Sequence, residues 1–168
     1  MNYPKPTYVR TVISGDYVET WTYEKPIFIN QKGGYNVSTT TPRYSEVLRR
    51  SAMLRAQQNI KRTILANYDQ YGNVTTKFLT LTFAKNVQDK KVANKYFDRF
   101  KKRLQRKYGK LYYIAVPEFQ KRGAVHYHVV FFNLPYIPQQ QIGRIWSYGF
   151  VWVNKVENAL HCSRYISK

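Results

Sequence analysis

The chain has 168 residues, with 28 Lys and Arg against 9 Asp and Glu, for a formal net charge of +19. With 43% apolar and 17% aromatic residues it can bury a real core, which excludes a disordered basic tail. Its single cysteine excludes an intrachain disulfide and zinc sites built on two or more thiolates, and points to a reducing compartment such as the cytoplasm.

Such a charge excess costs self-repulsion in the folded state, so it calls for a polyanionic partner. Tyr and Trp are mixed among the Lys and Arg, which favours nucleic acid: rings stack on bases while cations track phosphates. No membrane partner is expected. No apolar run approaches the roughly 18 residues of a span, and the first ten residues carry no signal-peptide core.

Residues 7–13 and 17–23 read as a hairpin through Ser14, Gly15 and Asp16, with Tyr17, Trp21 and Tyr23 on one face. Residues 31–34 (Gln-Lys-Gly-Gly) are a loop, and the Ser/Thr/Pro stretch at 38–42 is a linker. A helix is predicted from 45 to 66, with Val47, Leu48, Met53, Leu54, Ile60, Ile64 and Leu65 as its apolar positions. Arg49, Arg50, Arg55, Lys61 and Arg62 make it basic. A DNA-facing surface and a merely solvated one weigh equally here.

Residues 77–83 alternate as a strand, with Phe78, Thr80 and Thr82 on one face and Leu79, Leu81 and Phe83 on the other. A long helix follows, with Asp89 as N-cap and Gly109 as its stop. Its apolar stripe is Val92, Tyr96, Phe97, Phe100, Leu104 and Tyr108; Lys95, Arg99, Lys102 and Arg106 form a basic row opposite. Strands at 111–119 and 125–132 form a second hairpin across the short polar link at 120–124. A short helix at 138–146, a strand at 150–156 and a last helix from 158 complete the chain. From residue 76 the order is strand, helix, strand, strand, helix, strand, helix. That order predicts an α+β fold around a largely antiparallel sheet with flanking helices. Residues 1–75 read as an N-terminal extension of hairpin plus basic helix, and 76–168 as the main domain.

Two of the three histidines are His126 and His128. Positions i and i+2 of a strand face the same way, so both imidazoles project from one face while Tyr127 turns to the core. If the turn is centred on Arg122, Glu118 stands opposite His126, within the roughly 5 Å of a cross-strand pair. Glu118, His126 and His128 then form a facial two-histidine, one-carboxylate set suited to Mn²⁺ or Mg²⁺ as a Lewis acid. In the last helix, His161, Tyr165 and Lys168 share a face at i, i+4 and i+7. A free phenol titrates at about pH 10, so a tyrosine nucleophile needs a charge partner, which Lys168 offers. His161 is the alternative third ligand, or an accessory that orients Tyr165.

Three pieces in this order carry a resemblance: Phe78-Leu79-Thr80-Leu81-Thr82-Phe83, then His126-Tyr127-His128, then Tyr165-Ile166-Ser167-Lys168. Over 76–168 the chain resembles the HUH endonucleases, and among them the rolling-circle replication initiators (Rep proteins) of plasmids and small phages. The resemblance implies a ferredoxin- or RRM-like domain that nicks and rejoins single-stranded DNA at a replication origin. It implies Tyr165 as nucleophile forming a 5′-phosphotyrosine link, Lys168 as its charge partner, and a cation held by Glu118, His126 and His128. It also implies an origin strand presented by a hairpin, a host polymerase and helicase as partners, and a continuation of the chain beyond Lys168. Thr80, Thr82, Arg49, Arg50, Arg55, Arg62, Lys121 and Arg122 are the expected DNA contacts. A relaxase or HUH transposase would share the chemistry. A non-catalytic basic and aromatic nucleic-acid-binding module is the reading from a different class.

Overall fold

A computed structural model of the chain describes residues 6–28 and 42–167. The elements in chain order are β1 (Pro6–Ser14), β2 (Tyr17–Phe28), α1 (Pro42–Asn67), β3 (Lys77–Thr82), α2 (Lys90–Tyr108), β4 (Tyr113–Phe119), β5 (Val125–Phe131), α3 (Gln139–Trp146), β6 (Val151–Lys155) and α4 (Ala159–Ile166). The α+β architecture expected from the sequence is the one observed. The loop at 31–34 and residues 38–41 of the expected linker lie outside the described residues. Pro42 belongs instead to the first turn of α1, where a missing N–H costs nothing.

The main sheet has the strand order β4-β5-β3-β6, and every neighbouring pair is antiparallel. Its two faces follow from strand alternation. Leu79, Leu81 and Phe83 of the β3 segment join Val125, Tyr127, Val129 and Phe131 of β5 on one face. There they meet Ala93, Phe97, Phe100 and Leu104 of α2, and Ile142 and Trp146 of α3. Each such side chain contributes about 1.5–3 kcal/mol by leaving water. Asp89 caps α2 by accepting the Lys91 N–H at 2.6 Å, and Gly109 closes it at φ 80° with its N–H on the Gln105 carbonyl. Val92, expected in the apolar stripe, is exposed, and Ala93 takes the buried position beside it.

The opposite face carries His126, His128, Val130 and Phe132. Ile64 of α1 and Ile166 of α4 pack on Val130 and Phe132 there, covering one end of that face. The His end stays open. Only the last turns of α1 join this core: Ile64 and Leu65 are buried, whereas Val47, Leu48, Met53 and Leu54 are exposed. The first half of the helix has no apolar partner among the described residues.

The β1–β2 hairpin forms a separate two-stranded sheet. It docks on α1 through Glu19, whose carboxylate accepts from Lys61 Nζ at 2.7 Å, Arg62 Nε at 2.9 Å and Gln58 Nε2 at 2.9 Å. Trp21 lies beneath the Arg62 guanidinium, 5.2 Å from the ring centroid. Among the described residues, no helix is long and apolar enough to cross a membrane.

Candidate active site

The β4–β5 turn is local, and Gly123 at φ 81° lets it close with the Gly123 N–H on the Gln120 carbonyl at 2.8 Å. That turn fixes the register, and Glu118 pairs with His126 across the ladder, as the sequence predicts. His128, two residues on, faces the same side. Glu118 Oε2 lies 3.3 Å from His126 Nε2 and 3.0 Å from His128 Nε2. One ligand atom from each of the three residues lies within 4.8 Å of the others.

The electrostatics suit cation binding. The hydrogen bond with His126, joined by that with His128, holds the Glu118 carboxyl below the usual carboxylate range, against a smaller opposing effect of burial. Burial, then the neighbouring His126, lowers the His128 imidazole and favours its neutral form. A neutral imidazole and an ionised carboxylate are the states in which these groups ligate metals. On the other side of the His128 ring, Nδ1 lies 3.3 Å from Thr80 Oγ1. Thr80 and His128 are cross-strand partners, so β3 itself holds that ring in place. Phe78 stacks on the same imidazole at 5.4 Å between centroids. Two imidazole nitrogens and a carboxylate oxygen on one wall fit a hard or borderline divalent ion, with the solvent side left for other ligands.

Helix α4 brings Tyr165 to this wall. Asn158 caps the helix by accepting the His161 N–H at 2.9 Å. Ala159, Ser163 and Ile166 are buried, which turns Tyr165 outward. Its ring meets His128 edge-on at 5.3 Å and Phe78 edge-on at 5.6 Å between centroids, and it is 52% exposed. His161 lies one turn earlier on the same helix and is exposed. It stands outside the three-ligand group. Lys168 lies outside the described residues.

An open cavity of about 750 Å³ adjoins this wall, with Phe78, Thr80, His161 and Tyr165 among its lining residues. Its far side is made by Trp152, Asn154 and Glu157, which the sequence analysis passed over. The missing information was the β3–β6 pairing, which sets Trp152 opposite Thr80 across a long sequence separation.

The expected DNA contacts are dispersed. Thr82 donates to the Phe150 carbonyl at 3.1 Å, at the edge of the site face. Arg122 is drawn into the β4–β5 turn, donating to the Phe83 carbonyl at 2.8 Å and to Gln120 Oε1 at 3.0 Å. Lys121 beside it is exposed. Arg62 is engaged by Glu19, and Arg55 donates to the Ser51 carbonyl at 3.3 Å. Arg49 and Arg50 are exposed on the overhanging half of α1.

Residues 76–168, the segment that carries the sheet, the histidine pair and Tyr165, match the family described as Replication-associated protein, ORF2 type. The chain belongs to that family. No curated protein and no solved structure matches the chain significantly. For a replication-associated protein, a strongly basic chain with an open aromatic cavity beside a ligand cluster is chemically coherent, because DNA supplies both phosphates and bases.

Proposed function

We propose that this replication-associated protein is an HUH endonuclease that nicks and rejoins single-stranded DNA at a replication origin, through a covalent tyrosine intermediate. Residues 76–168 are its catalytic domain, and 1–75 an extension braced against it. The observation that carries the reading is the adjacency of an exposed Tyr165 ring to His128, itself within 3.0 Å of Glu118 and grouped with His126.

Glu118, His126 and His128 would hold a divalent cation, Mn²⁺ or Mg²⁺, which supplies Lewis-acid polarisation of a phosphate. Tyr165 is the nucleophile: its Oη forms a bond to the scissile phosphorus as the bond from phosphorus to the 3′-oxygen breaks. The phenolic proton passes to solvent or a nearby base, and the departing 3′-oxygen ends as a hydroxyl. His161, one turn away on α4, is suited to carrying that proton, and Lys168 to offsetting the phenolate charge. Because one phosphodiester replaces another, the reverse attack by the 3′-hydroxyl needs no nucleotide cofactor. The free 3′-end would then prime rolling-circle synthesis by a host polymerase.

The test uses labelled single-stranded oligonucleotides tiling the replicon that encodes the chain, with Mn²⁺. An adduct that resists SDS is expected, lost with chelator and lost in Tyr165→Phe. An adduct that persists in Tyr165→Phe rejects the nucleophile. DNA binding with no adduct on any oligonucleotide supports the passive binding module instead.

A further inference from the structure

The cavity beside Tyr165 has a chemistry of its own. Trp152 is 52% exposed on its wall, so one indole face is open to a flat ligand. The indole N–H is not the recognition group, because it donates to Asn154 Oδ1 at 3.1 Å. An indole nitrogen only donates, so the partner atom must be the amide oxygen. Asn154 therefore presents its NH₂ as a donor. Glu157 adds a carboxylate that makes no side-chain hydrogen bond or ion pair among the described residues.

That carboxylate is out of place for phosphate binding. The chain carries only 9 acidic residues against 28 basic ones, and one of the 9 lines the cavity next to the proposed scissile strand. Beside a phosphodiester it repels. It is tolerated where it accepts hydrogen bonds from donors on a base edge, as acidic side chains do when they read bases. The four bases differ in what they offer. The pairing edge of guanine carries two adjacent donors, N1–H and N2–H, and one acceptor, O6. Cytosine, adenine and thymine each carry a single donor position there. A carboxylate with two oxygens and an amide NH₂ complement guanine's donor-donor-acceptor edge, and an open aromatic face supplies the stacking worth about 1–3 kcal/mol per base.

We propose that this cavity is a base-reading subsite for one unpaired guanine of the bound single strand. Trp152 stacks on the base, Glu157 accepts from N1–H and N2–H, and Asn154 donates to O6. The inference deepens the strand-nicking reading and rests on it for why a single strand lies here. Glu157 and Trp152 are thus specificity residues, and neither belongs to the ligand group or the nucleophile.

The test measures equilibrium binding by fluorescence anisotropy, with the full chain and chelator present so that no adduct forms. The probes are labelled oligothymidylates of about twelve nucleotides, either uniform or with one central dG, dA or dC. The dG probe is expected to bind about tenfold tighter than the other three. Glu157→Gln should bring that preference to within about twofold, because an amide cannot accept both donors. Tyr68 uses only the backbone carbonyl of residue 157, so this substitution leaves the fold's own contact intact. Trp152→Leu should weaken all four probes. Equal affinities for the four probes with the unaltered chain would overturn the proposal, as would a guanine preference unchanged in Glu157→Gln. Guanine preference without a tyrosine adduct defeats only the nicking reading, and an adduct without base preference defeats only the subsite.

Discussion

Glu118 stands directly across the β4–β5 ladder from His126, and its Oε2 lies between the Nε2 atoms of His126 and His128, at 3.3 Å and 3.0 Å. The carboxylate is mostly exposed, so it contributes little to the core. Its removal should therefore separate ligation from folding. Glu118→Ala is expected to weaken Mn²⁺ binding by at least tenfold, read by calorimetric titration, while binding of single-stranded DNA in chelator is no weaker than before. Unchanged Mn²⁺ affinity would remove Glu118 from the ligand set. Were His161→Ala to abolish Mn²⁺ binding alone, the third ligand would be His161.

Thr80 acts on the same ring from behind. Its hydroxyl is 3.3 Å from His128 Nδ1, and Phe78 stacks on the imidazole face. Groups that orient a ligating histidine typically account for 10–100-fold in affinity. Thr80→Val keeps the β-branched shape that suits β3 and removes only the hydroxyl. The expected result is roughly tenfold weaker Mn²⁺ binding with an unchanged melting temperature. Thr80→Ser should restore the affinity, which a purely structural role would not require.

The parts of this molecule that were legible in its sequence are those decided over short distances. The β4–β5 hairpin has a five-residue polar link with Gly123, so counting outward from Arg122 gave the Glu118–His126 pair. Asp89 and Gly109 bound α2 because capping is a local hydrogen-bonding problem. What escaped is decided by long-range pairing. β6 joins β3, setting Trp152 beside Thr80 across the sheet, and no turn announces that register. Glu19 reaches Gln58, Lys61 and Arg62 from another element, and nothing around Glu19 in the sequence marks it as their partner. Periodicity also misjudged the first half of α1. Val47, Leu48, Met53 and Leu54 satisfy a helical pattern and yet face no core.

The docking of the N-terminal hairpin should be sensitive to acid. Burial pushes the Glu19 carboxyl up, but hydrogen bonds from Lys61, Arg62 and Gln58 outweigh it and hold the group at about 2, against an ordinary 4.5. A folded-state value below the unfolded one means that the contribution is fully present above about pH 4.5 and is lost as pH falls towards 2. Hydrogen exchange of the β1–β2 amides should accelerate through that window before exchange in β3 does. Glu19→Gln should produce the same loosening at neutral pH, by about 1–3 kcal/mol of local opening energy, since Lys61 and Arg62 lose their charge partner. Identical exchange in the two proteins at neutral pH would show that the hairpin is held otherwise.

Gly149 sits where β6 begins to cross β3. A Cβ there would collide with the Thr82 carbonyl oxygen and the Ala84 nitrogen. Neither neighbour yields easily. The Thr82 carbonyl accepts the Trp146 indole N–H at 2.9 Å, and the Ala84 N–H donates to the Tyr148 carbonyl at 3.0 Å. Gly149→Ala is expected to destabilise the fold by about 1–3 kcal/mol, as overpacking does. Denaturant unfolding measures it directly, and a midpoint unchanged within error would mean that the strand shifts without cost.

Salt should divide the two basic surfaces. Lys95, Lys102 and Arg106 lie on α2, which covers the sheet face opposite His126 and His128. A short single strand seated at the site has no path to them, whereas a charged contact that it does make releases counterions. Affinity for such a strand is expected to fall by roughly 0.7 log units per phosphate contact for each tenfold rise in salt. Replacing Lys95, Lys102 and Arg106 together with Ala should leave that slope unchanged, and replacing Lys121 and Arg122, beside the ligand hairpin, should reduce it. The opposite outcome, with the α2 row setting the slope and Lys121 and Arg122 silent, would place the strand on the wrong side of the sheet and detach DNA binding from Tyr165.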